Sequence, residues 1–466
     1  MAVDEGNVRQ RLLWEPSTAT NRIYNNMTAR SIVLSLLCIV SALGQPAFEA
    51  RVKSHLDKGD FIGSVLVAQD GKVLYRSAVG MAQAEWGIPN TPETKFRLGS
   101  ITKQFTAVAV LQLVEKGKIK LDDPVKKYYA EAPASWDTVT IHHLLNHTSG
   151  IPSYTEQPGF FEKGSMLPMK AAEIVKLTQD KPLEFPPGSK FHYDNTGYVL
   201  LGAILETVTG KPYGDHMREV IFDPLGMKDT GYDVSSLILK NRAAGYQRGK
   251  NGLENARYLD MTLPHAAGAL YSTVDDLLKW DQALYTEKLI NAASRQKMLT
   301  PGLDGYGYGW ALKKEGAHSI AEHGGGINGF STHILRVLDE KIVVITLANM
   351  STPGAGKLAQ ELAKLAMGIP LPEEPKEIQI PPEKLNDYPG VYPLSPQFSL
   401  TVRNDRNQLT VQGTGQPANP VFAYATDKFF AKVVDAQMEF TRGSDGKVDG
   451  VILHQGGRDL KAPRQQ

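Results

Sequence analysis

A segment rich in proline and glutamate divides this 466-residue chain into two parts of different character. Residues 368–385 read GIPLPEEPKEIQIPPEKL, and proline at this density interrupts helices and central strands. Strand and helix patterns alternate before this segment, whereas only short strand patterns follow it. A chain of this length is expected to form two or three domains. We therefore expect a first domain over 51–367, a linker over 368–382 and a second domain over 383–466.

The first part begins and ends with hairpin patterns. Residues 63–80 contain two alternating apolar runs around Asp70-Gly71, a dipeptide typical of tight hairpin turns, and a second hairpin pattern surrounds Asp339-Glu340. Helical patterns fill the region between them. Strands at both ends with helices between them predict an α+β fold. We expect one antiparallel sheet, assembled from both ends of the domain and flanked by helices, together with a helical subdomain.

The second part consists of short strand patterns separated by turn residues. Seven such stretches run from YPGVYPL near its start to VDGVILHQ near its end. Short strands at this spacing predict a small all-β barrel or sandwich. Two roles are open to such a domain: it stabilises the first domain, or it reaches the functional site and limits the size of the substrate.

Residues 27–44 have the pattern of a secretory signal peptide. Arg30 precedes a short apolar run that ends in small residues, and the alternative, an uncleaved membrane anchor, needs a longer span. We therefore expect an exported protein, periplasmic or extracellular. Residues 1–26 are an unpatterned extension before this signal. The single cysteine, Cys38, lies inside the signal, so the cleaved protein would contain no disulfide.

The charge balance gives no sign of a nucleic-acid or polyanion partner. The formal net charge is +1, and runs of like charge are absent from the sequence. We expect a small-molecule or peptide substrate and no nucleic-acid partner. Export would allow contact with the cell envelope, and the sequence carries no signal for a particular oligomeric state.

A serine and a lysine, Ser100 and Lys103, stand three residues apart where an apolar helical pattern over 100–116 begins. Residues three apart share a helix face, and the N–H groups at a helix N-terminus favour an oxyanion. Ser100 is therefore a candidate nucleophile, with Lys103 as its proton acceptor. The alternative is a helix cap beside a solvated lysine. The same spacing recurs in a wholly polar stretch and in a turn, at Ser294/Lys297 and Ser444/Lys447.

A second polar pair, Tyr193 and Asn195, precedes the apolar helix pattern in residues 186–210. Residues two apart in extended chain point the same way. Tyr193 acts as a base only if its pKa falls from about 10 to about 7, a change of about 4 kcal/mol. One ammonium about 4 Å away, at an effective dielectric constant of about 20, supplies that amount, and Lys103 is its expected source. The alternative is a boundary tyrosine beside an asparagine that caps the helix.

Three consecutive glycines, Gly324, Gly325 and Gly326, interrupt the strand pattern of residues 318–338. Glycine weakens a strand and marks close approach by another backbone or by a ligand. We expect the backbone here to bind a substrate main chain, and one of its N–H groups to complete an oxyanion hole with that of Ser100. The alternative is a flexible loop or bulge.

These three motifs, in this order, resemble those of the penicillin-recognising serine hydrolases. The family includes class C β-lactamases, serine D-alanyl-D-alanine carboxypeptidases, D-aminopeptidases and esterase relatives. The resemblance covers about 55–367. More loosely, residues 383–460 resemble the lipocalin-like β-domain that follows the catalytic domain in several relatives. The motifs that carry the resemblance are Ser100-x-x-Lys103, Tyr193-x-Asn195 and His323-Gly324-Gly325.

The resemblance implies a β-lactamase/transpeptidase-like fold and a role for each residue. Ser100 would be the nucleophile that becomes acylated, and Lys103 and Tyr193 would share the acid and base work. Asn195 would contact the substrate amide. The N–H groups of Ser100 and Gly326 would form the oxyanion hole. The reaction would need no metal and no organic cofactor.

The third motif departs from that of class C β-lactamases, since His323-Gly324-Gly325 replaces Lys-Thr-Gly. A permanent cation becomes an imidazole that titrates near about 6.5. We therefore expect at most weak hydrolysis of β-lactams, and D-amino-acid peptides or small esters as substrates. We expect protonated His323 to bind a substrate carboxylate, so that activity on acidic substrates falls between about pH 6 and about pH 8. The alternatives are a catalytically silent, penicillin-binding-like sensing protein and a true β-lactamase.

Overall fold

The structure is a computed structural model that describes residues 45–249, 252–371, 375–432, 436–455 and 458–465. The N-terminal extension and the signal peptide expected before residue 45 lie outside the described residues. Within the described ranges, no helix is both long enough and apolar enough to cross a bilayer.

The first part of the chain alternates strands with helices, and its sheet strands lie at its two ends. The strands are β1 Gly63–Gln69, β2 Lys72–Val79, β3 Met81–Gln83, β4 Ile88–Pro89, β5 Phe96–Arg97, β6 Gly231–Tyr232, β7 Tyr246–Gly249, β8 Gly252–Asn255, β9 Leu270–Ser272, β10 Ala311–Glu315, β11 His318–Ile327, β12 Phe330–Val337 and β13 Ile342–Ala348. The helices are α1 over 45–57, α2 Thr102–Glu115, α3 Ile141–Leu145, α4 Phe160–Lys163, α5 Ala171–Gln179, α6 Asn195–Thr209, α7 Tyr213–Met217, α8 Asp223–Leu225, α9 His265–Gly268, α10 Val274–Ala283, α11 Ala292–Met298 and α12 Gly354–Ala366.

One six-stranded antiparallel sheet joins the two ends of this part, in the order β10-β11-β12-β13-β1-β2. Gly63 of β1 pairs with Ala348 of β13, which confirms the predicted assembly from both chain ends. The predicted turn between β1 and β2 is confirmed as well, since Asp70 and Gly71 have φ angles of 48° and 76°. Helices α1 and α12 pack on one face of the sheet, and the helical subdomain packs on the other.

Helix α2 is buried on all sides at the centre of the larger core. Every residue from Thr102 to Leu113 is buried, because Ala, Val, Leu and Phe occupy the whole circumference instead of one stripe. Its polar side chains must therefore find partners inside the protein. Gln104 Oε1 accepts a hydrogen bond from Trp280 Nε1 at 3.1 Å, and Thr106 donates to the Ala266 carbonyl at 2.7 Å. This burial sets the environment of the predicted catalytic lysine.

The second part is a nearly closed antiparallel barrel in which each strand pairs with the next along the chain. Gln465 N–H donates to the Val391 carbonyl at 2.8 Å and links the last segment back to the first strand. Aromatic side chains, including Tyr388, Phe429 and Phe440, fill the interior. The strands are β14 Gly390–Ser395, β15 Phe398–Asp405, β16 Gln408–Gly413, β17 Asn419–Ala425, β18 Lys428–Ala431, β19 Ala436–Arg442, β20 Val448–Gln455 and β21 Arg458–Pro463.

The eighth strand, β21, is absent from the sequence-based prediction of seven. Three of the six residues in its sequence, RDLKAP, are charged, and it ends in proline. Its alternating apolar pattern is limited to Leu460 and Ala462, which is too short to mark a strand. It forms because β20 offers an unpaired edge, to which it pairs from Gly450↔Pro463 to Gln455↔Arg458.

Candidate active site

Ser100 lies in a tight turn that leads directly into α2. The turn covers Gly99–Ile101, and Gly99 has a φ angle of 55°, a left-handed conformation that glycine adopts without strain. Ser100 is therefore held at the N-terminus of a long buried helix and lines a cavity of about 500 Å³. The other two Ser-x-x-Lys matches lie in the short surface helix α11 and in an exposed turn. The structure thus distinguishes Ser100 from both.

Lys103 connects the serine to the second motif. Its Nζ donates to Ser100 Oγ at 3.1 Å, to Asn195 Oδ1 at 2.8 Å and to the Ala267 carbonyl at 2.9 Å. These bonds use all three protons of an ammonium. The side chain is 0% exposed, and this burial lowers the pKa of Lys103 to about 7, against a raising effect of Asp194. Lys103 can therefore hold or accept a proton near neutral pH.

Tyr193 and Asn195 face the same lysine, as their spacing predicts. The centre of the Tyr193 ring lies 4.8 Å from Lys103 Nζ. The Asn195 amide accepts from Lys103 and donates from Nδ2 to Thr155 Oγ1 at 3.0 Å. Between them, Asp194 caps α6 by accepting from Gly197 N–H at 2.7 Å. The cap orients the two flanking side chains toward the site.

A buried histidine, His147, packs against the segment that carries Tyr193, Asp194 and Asn195. His147 Nδ1 accepts a hydrogen bond from Asp194 N–H at 3.1 Å, and its ring lies 4.3 Å from the Tyr193 ring, centre to centre. Burial, with smaller effects of nearby Lys103 and His323, lowers the pKa of His147 well below its usual range. His147 is therefore a neutral packing partner of the loop.

The glycine strand lies directly against the serine turn. A Cβ on Gly325 would come within 1.9 Å of the Leu98 carbonyl oxygen, and one on Gly99 would lie 3.0 Å from Gly326 N. The close approach expected here is therefore that of another backbone. Ile327 and Phe330 form the last pair before the turn between β11 and β12, so the N–H of the preceding residue, Gly326, points away from β12.

Gly326 also lines the cavity beside Ser100. Its free N–H and that of Ser100 can therefore bind one oxyanion between them.

The comparisons with known proteins agree with this geometry. A family model described as "Beta-lactamase" matches residues 48–367, and a "Domain of unknown function (DUF3471)" matches residues 374–464. A penicillin-binding protein of Bacillus subtilis strain 168 is 30% identical over 450 residues, which cover 90% of this chain and 98% of the relative. The chain belongs to the penicillin-recognising serine hydrolase family.

Two further relatives catalyse known reactions, as their names state. An esterase of Burkholderia gladioli is 28% identical over 69% of this chain and 94% of its own. The structure of a D-amino acid amidase of Ochrobactrum anthropi superposes with a TM-score of 0.63 at 26% identity, over 69% of this chain and 98% of that one. The protein is thus a serine hydrolase with a β-lactamase/transpeptidase-like fold.

The pKa of Tyr193 is expected to fall toward about 7, and the structure shifts it in the opposite direction. Burial raises the pKa of Tyr193 above its ordinary value, and the neighbouring Ser100 hydroxyl opposes this only in part. Tyr193 Oη is buried, and within the described residues the Ser100 hydroxyl lies near it without the geometry of a full hydrogen bond. The expectation treated Lys103 as a full cation, whereas burial makes its neutral form accessible at pH 7. Burial therefore favours a protonated Tyr193 hydroxyl and leaves the neutral form of Lys103 accessible near pH 7.

The expected role of His323 is also wrong. Its Nδ1 donates to the Gly324 carbonyl at 2.6 Å, and its Nε2 accepts from the Tyr306 hydroxyl at 2.9 Å. Burial, together with the charge of Lys103, lowers the pKa of His323 to about 3. A neutral imidazole with both nitrogens occupied does not bind a substrate carboxylate. Gly324 and Gly325 do not line the cavity either, which leaves Gly326 as the glycine of this strand that faces the cavity.

Sequence reasoning missed three groups that hold the site together: the Thr155 hydroxyl, the Ala267 carbonyl and the Tyr306 hydroxyl. Thr155 and Tyr306 fall in or beside stretches that resemble family segments, HHLLNHTSGIPSY and GYGYGW, and that proximity was the available signal. The Ala267 carbonyl has no sequence signal, because every residue carries a backbone carbonyl.

One group of side chains in the described residues has spacing suited to a metal ion: Glu156, Glu184 and His192. It lies near the surface. His192 hydrogen-bonds Glu184 through Nδ1, and its Nε2 lies 3.6 Å from Glu156 Oε1. The hydrogen bond to Glu184 raises the pKa of His192. An imidazolium between two carboxylates accounts for the group as an ion-pair network.

Replacing Gly325 or Gly326 by alanine should show which of the two glycines packs against another backbone. Gly325→Ala drives a methyl group into the Leu98 carbonyl, and we expect a loss of about 1–3 kcal/mol or more in the free energy of unfolding. Gly326→Ala meets nothing within 4 Å and should keep the wild-type stability. Urea unfolding measures both. Equal stabilities of the two variants would contradict the described contact between β11 and the serine turn.

The rate of acylation should rise with pH through the pKa of Lys103. If the neutral amine is the base, a pKa of about 7 predicts an increase of about tenfold between about pH 6 and about pH 8. Stopped-flow measurement of acylation by an activated ester gives this profile. Burial raises the pKa of Asp194 itself to about 7. Asp194→Asn should move the midpoint to lower pH, because the ionised form of Asp194 raises the pKa of Lys103. A flat wild-type profile over this range would exclude Lys103 as the base.

Proposed function

We propose that the protein hydrolyses amide or ester bonds through an acyl-enzyme on Ser100. The observation that carries the proposal is the 3.1 Å contact between Lys103 Nζ and Ser100 Oγ, made where burial brings the pKa of the lysine to about 7. A base with a pKa near the working pH combines an accessible neutral form with enough proton affinity to activate a hydroxyl.

The chemistry divides into acylation and deacylation. Neutral Lys103 accepts the Ser100 proton as Oγ attacks the substrate carbonyl, and the negative oxygen is bound by the N–H groups of Ser100 and Gly326. When the carbonyl re-forms, the leaving amine or alkoxide takes a proton from the Lys103 ammonium, directly or through the Tyr193 hydroxyl. Water then attacks the acyl group along the reverse of this proton path, which releases the acid and restores Ser100.

The chemical class of the substrate rests on the relatives and on the third motif. The names of the relatives describe penicillin binding, esterase activity and D-amino acid amidase activity, all consistent with attack on an activated or unactivated acyl group. His323 is buried and neutral, so this motif offers no cation to a β-lactam carboxylate. We therefore propose amides of D-amino acids and small esters as substrates, with at most weak hydrolysis of β-lactams.

Covalent labelling tests the nucleophile. After incubation with a fluorophosphonate, peptide mass spectrometry should find the adduct on Ser100. Ser100→Ala should abolish labelling, whereas Ser294→Ala, which changes the serine of another Ser-x-x-Lys match, should label as the wild type does. An adduct that survives in Ser100→Ala would refute the proposal. A stable adduct with labelled penicillin, without turnover of esters or amides, would instead favour a penicillin-binding sensor.

We further propose that the protein is exported and acts in or near the cell envelope, which rests on the signal pattern of residues 27–44. Expression in a Gram-negative bacterial host should deliver a protein that is cleaved near residue 44 to the periplasm. Deletion of this segment should retain it in the cytoplasm. Recovery of the uncleaved chain in the membrane fraction would support the anchor instead.

A further inference from the structure

The walls of the cavity at Ser100 are mostly apolar. Among them are the aromatic side chains of Tyr154, Phe160, Phe161 and Phe330. The Tyr154 and Phe160 rings lie 5.1 Å apart and the Phe160 and Phe161 rings 5.2 Å apart, both edge to face. Phe161 is 48% exposed, so this aromatic wall extends from the interior to solvent. Such a surface favours an apolar acyl group over a hydrated one.

The polar groups on the remaining walls are neutral. They are hydroxyls and amides, among them Thr155, Asn195, Asn328, Ser331 and Ser351. Within the described part of the chain, no charged side chain lines this cavity. These walls can accept or donate hydrogen bonds, but they offer no counter-ion to a charged substrate.

Three cationic or titratable side chains beside these walls already have partners. Lys103 uses all three of its protons on protein acceptors. Arg97 lies behind the Phe330 ring, 5.8 Å from its centre, and its Nε donates to Asp233 at 2.7 Å. The buried imidazole of His323 is neutral and has both nitrogens occupied. A substrate carboxylate would therefore compete with existing protein contacts for each of these groups.

The carboxylates beside the cavity likewise already have hydrogen-bond donors or a cationic partner within the protein. Asp260, next to the lining residue Leu259, accepts from the Thr262 N–H at 3.0 Å and from its hydroxyl at 2.7 Å. Glu156, next to Thr155, faces His192. A substrate ammonium would find no free carboxylate in these positions.

We propose that the Ser100 cavity selects substrates whose acyl group is apolar and uncharged, and that it discriminates against both carboxylate and ammonium groups on that acyl group. The proposal rests on the function proposed above and narrows its substrate class to neutral, preferably aromatic, acyl esters and amides. Amides of D-amino acids would then be substrates only when their α-amino group is acylated. An unpaired charge in a mostly apolar cavity costs several kcal/mol, which corresponds to at least about a hundredfold in kcat/KM.

Four p-nitrophenyl esters of para-substituted phenylacetic acids test this discrimination at matched size. One pair of esters has a para carboxylate or its neutral counterpart, a para methoxycarbonyl group. The other pair has a para aminomethyl group or its neutral counterpart, a para hydroxymethyl group. At pH 7.5 we expect kcat/KM for each neutral ester to exceed that of its charged counterpart by about a hundredfold or more. Equal values within either pair would overturn the proposal for that charge.

A charge placed on the aromatic wall supplies an independent test. Phe161→Arg should raise the carboxylate-to-neutral ratio of kcat/KM about fivefold, because an exposed ion pair contributes up to about 1 kcal/mol. Phe161→Gln, a neutral polar replacement, should leave that ratio unchanged. An unchanged ratio in Phe161→Arg would contradict the placement of this wall beside the acyl group.

Arg257 supplies the competing explanation, because it is exposed and its carbonyl accepts from Asn328 Nδ2 at 3.0 Å. If the wild type prefers the carboxylate ester and Arg257→Gln removes the preference, a surface cation recruits acidic substrates and the proposal is wrong.

Ser100→Ala distinguishes failure of the proposed hydrolase function from failure of the proposed charge selectivity. Turnover of all four esters that persists in Ser100→Ala, or no turnover of any ester by the wild type, refutes the function itself. Loss in Ser100→Ala with equal rates in the wild type refutes only the charge selectivity.

Discussion

The burial of one ammonium group governs the chemistry of this protein. Lys103 lies in a helix that is buried on all sides, and its Nζ has three acceptors within hydrogen-bonding distance. Desolvation disfavours the charged form of Lys103, while the nearby Asp194 carboxylate offsets part of this effect. The balance brings its pKa to about 7. The serine, the asparagine of α6 and the carbonyl of α9 are arranged around this one nitrogen, so three separate segments are coupled through it.

Much of the architecture follows from local sequence patterns. Asp70-Gly71 predicts the first hairpin because a tight turn of this kind needs two residues at positive φ, and both have it. Ser100 and Lys103 are recognisable because a three-residue helical spacing brings their side chains together. Such features depend on neighbours in the chain, and for that reason a sequence alone reveals them.

The errors of prediction arose where distant segments determine a property. The apolar spacing of residues 100–116 indicates a helix but not its complete enclosure, and enclosure reverses the expected proton affinities of Lys103 and Tyr193. His323 turns inward because Tyr306, on another segment, donates to it. Strand β21 exists because β20 presents an open edge. In each case, the tertiary environment overrides what the residue would do in isolation.

The Ala267 carbonyl, which accepts from Lys103 at 2.9 Å, has a consequence for how such a site changes during evolution. A contact supplied by the main chain survives replacement of the side chain at that position, so long as α9 keeps its place. Relatives can therefore differ in the side chain at this position and keep the same backbone hydrogen bond to the lysine. Divergence in this short helix would then report on packing rather than on catalysis, and an essential acceptor would remain invisible to residue-by-residue comparison.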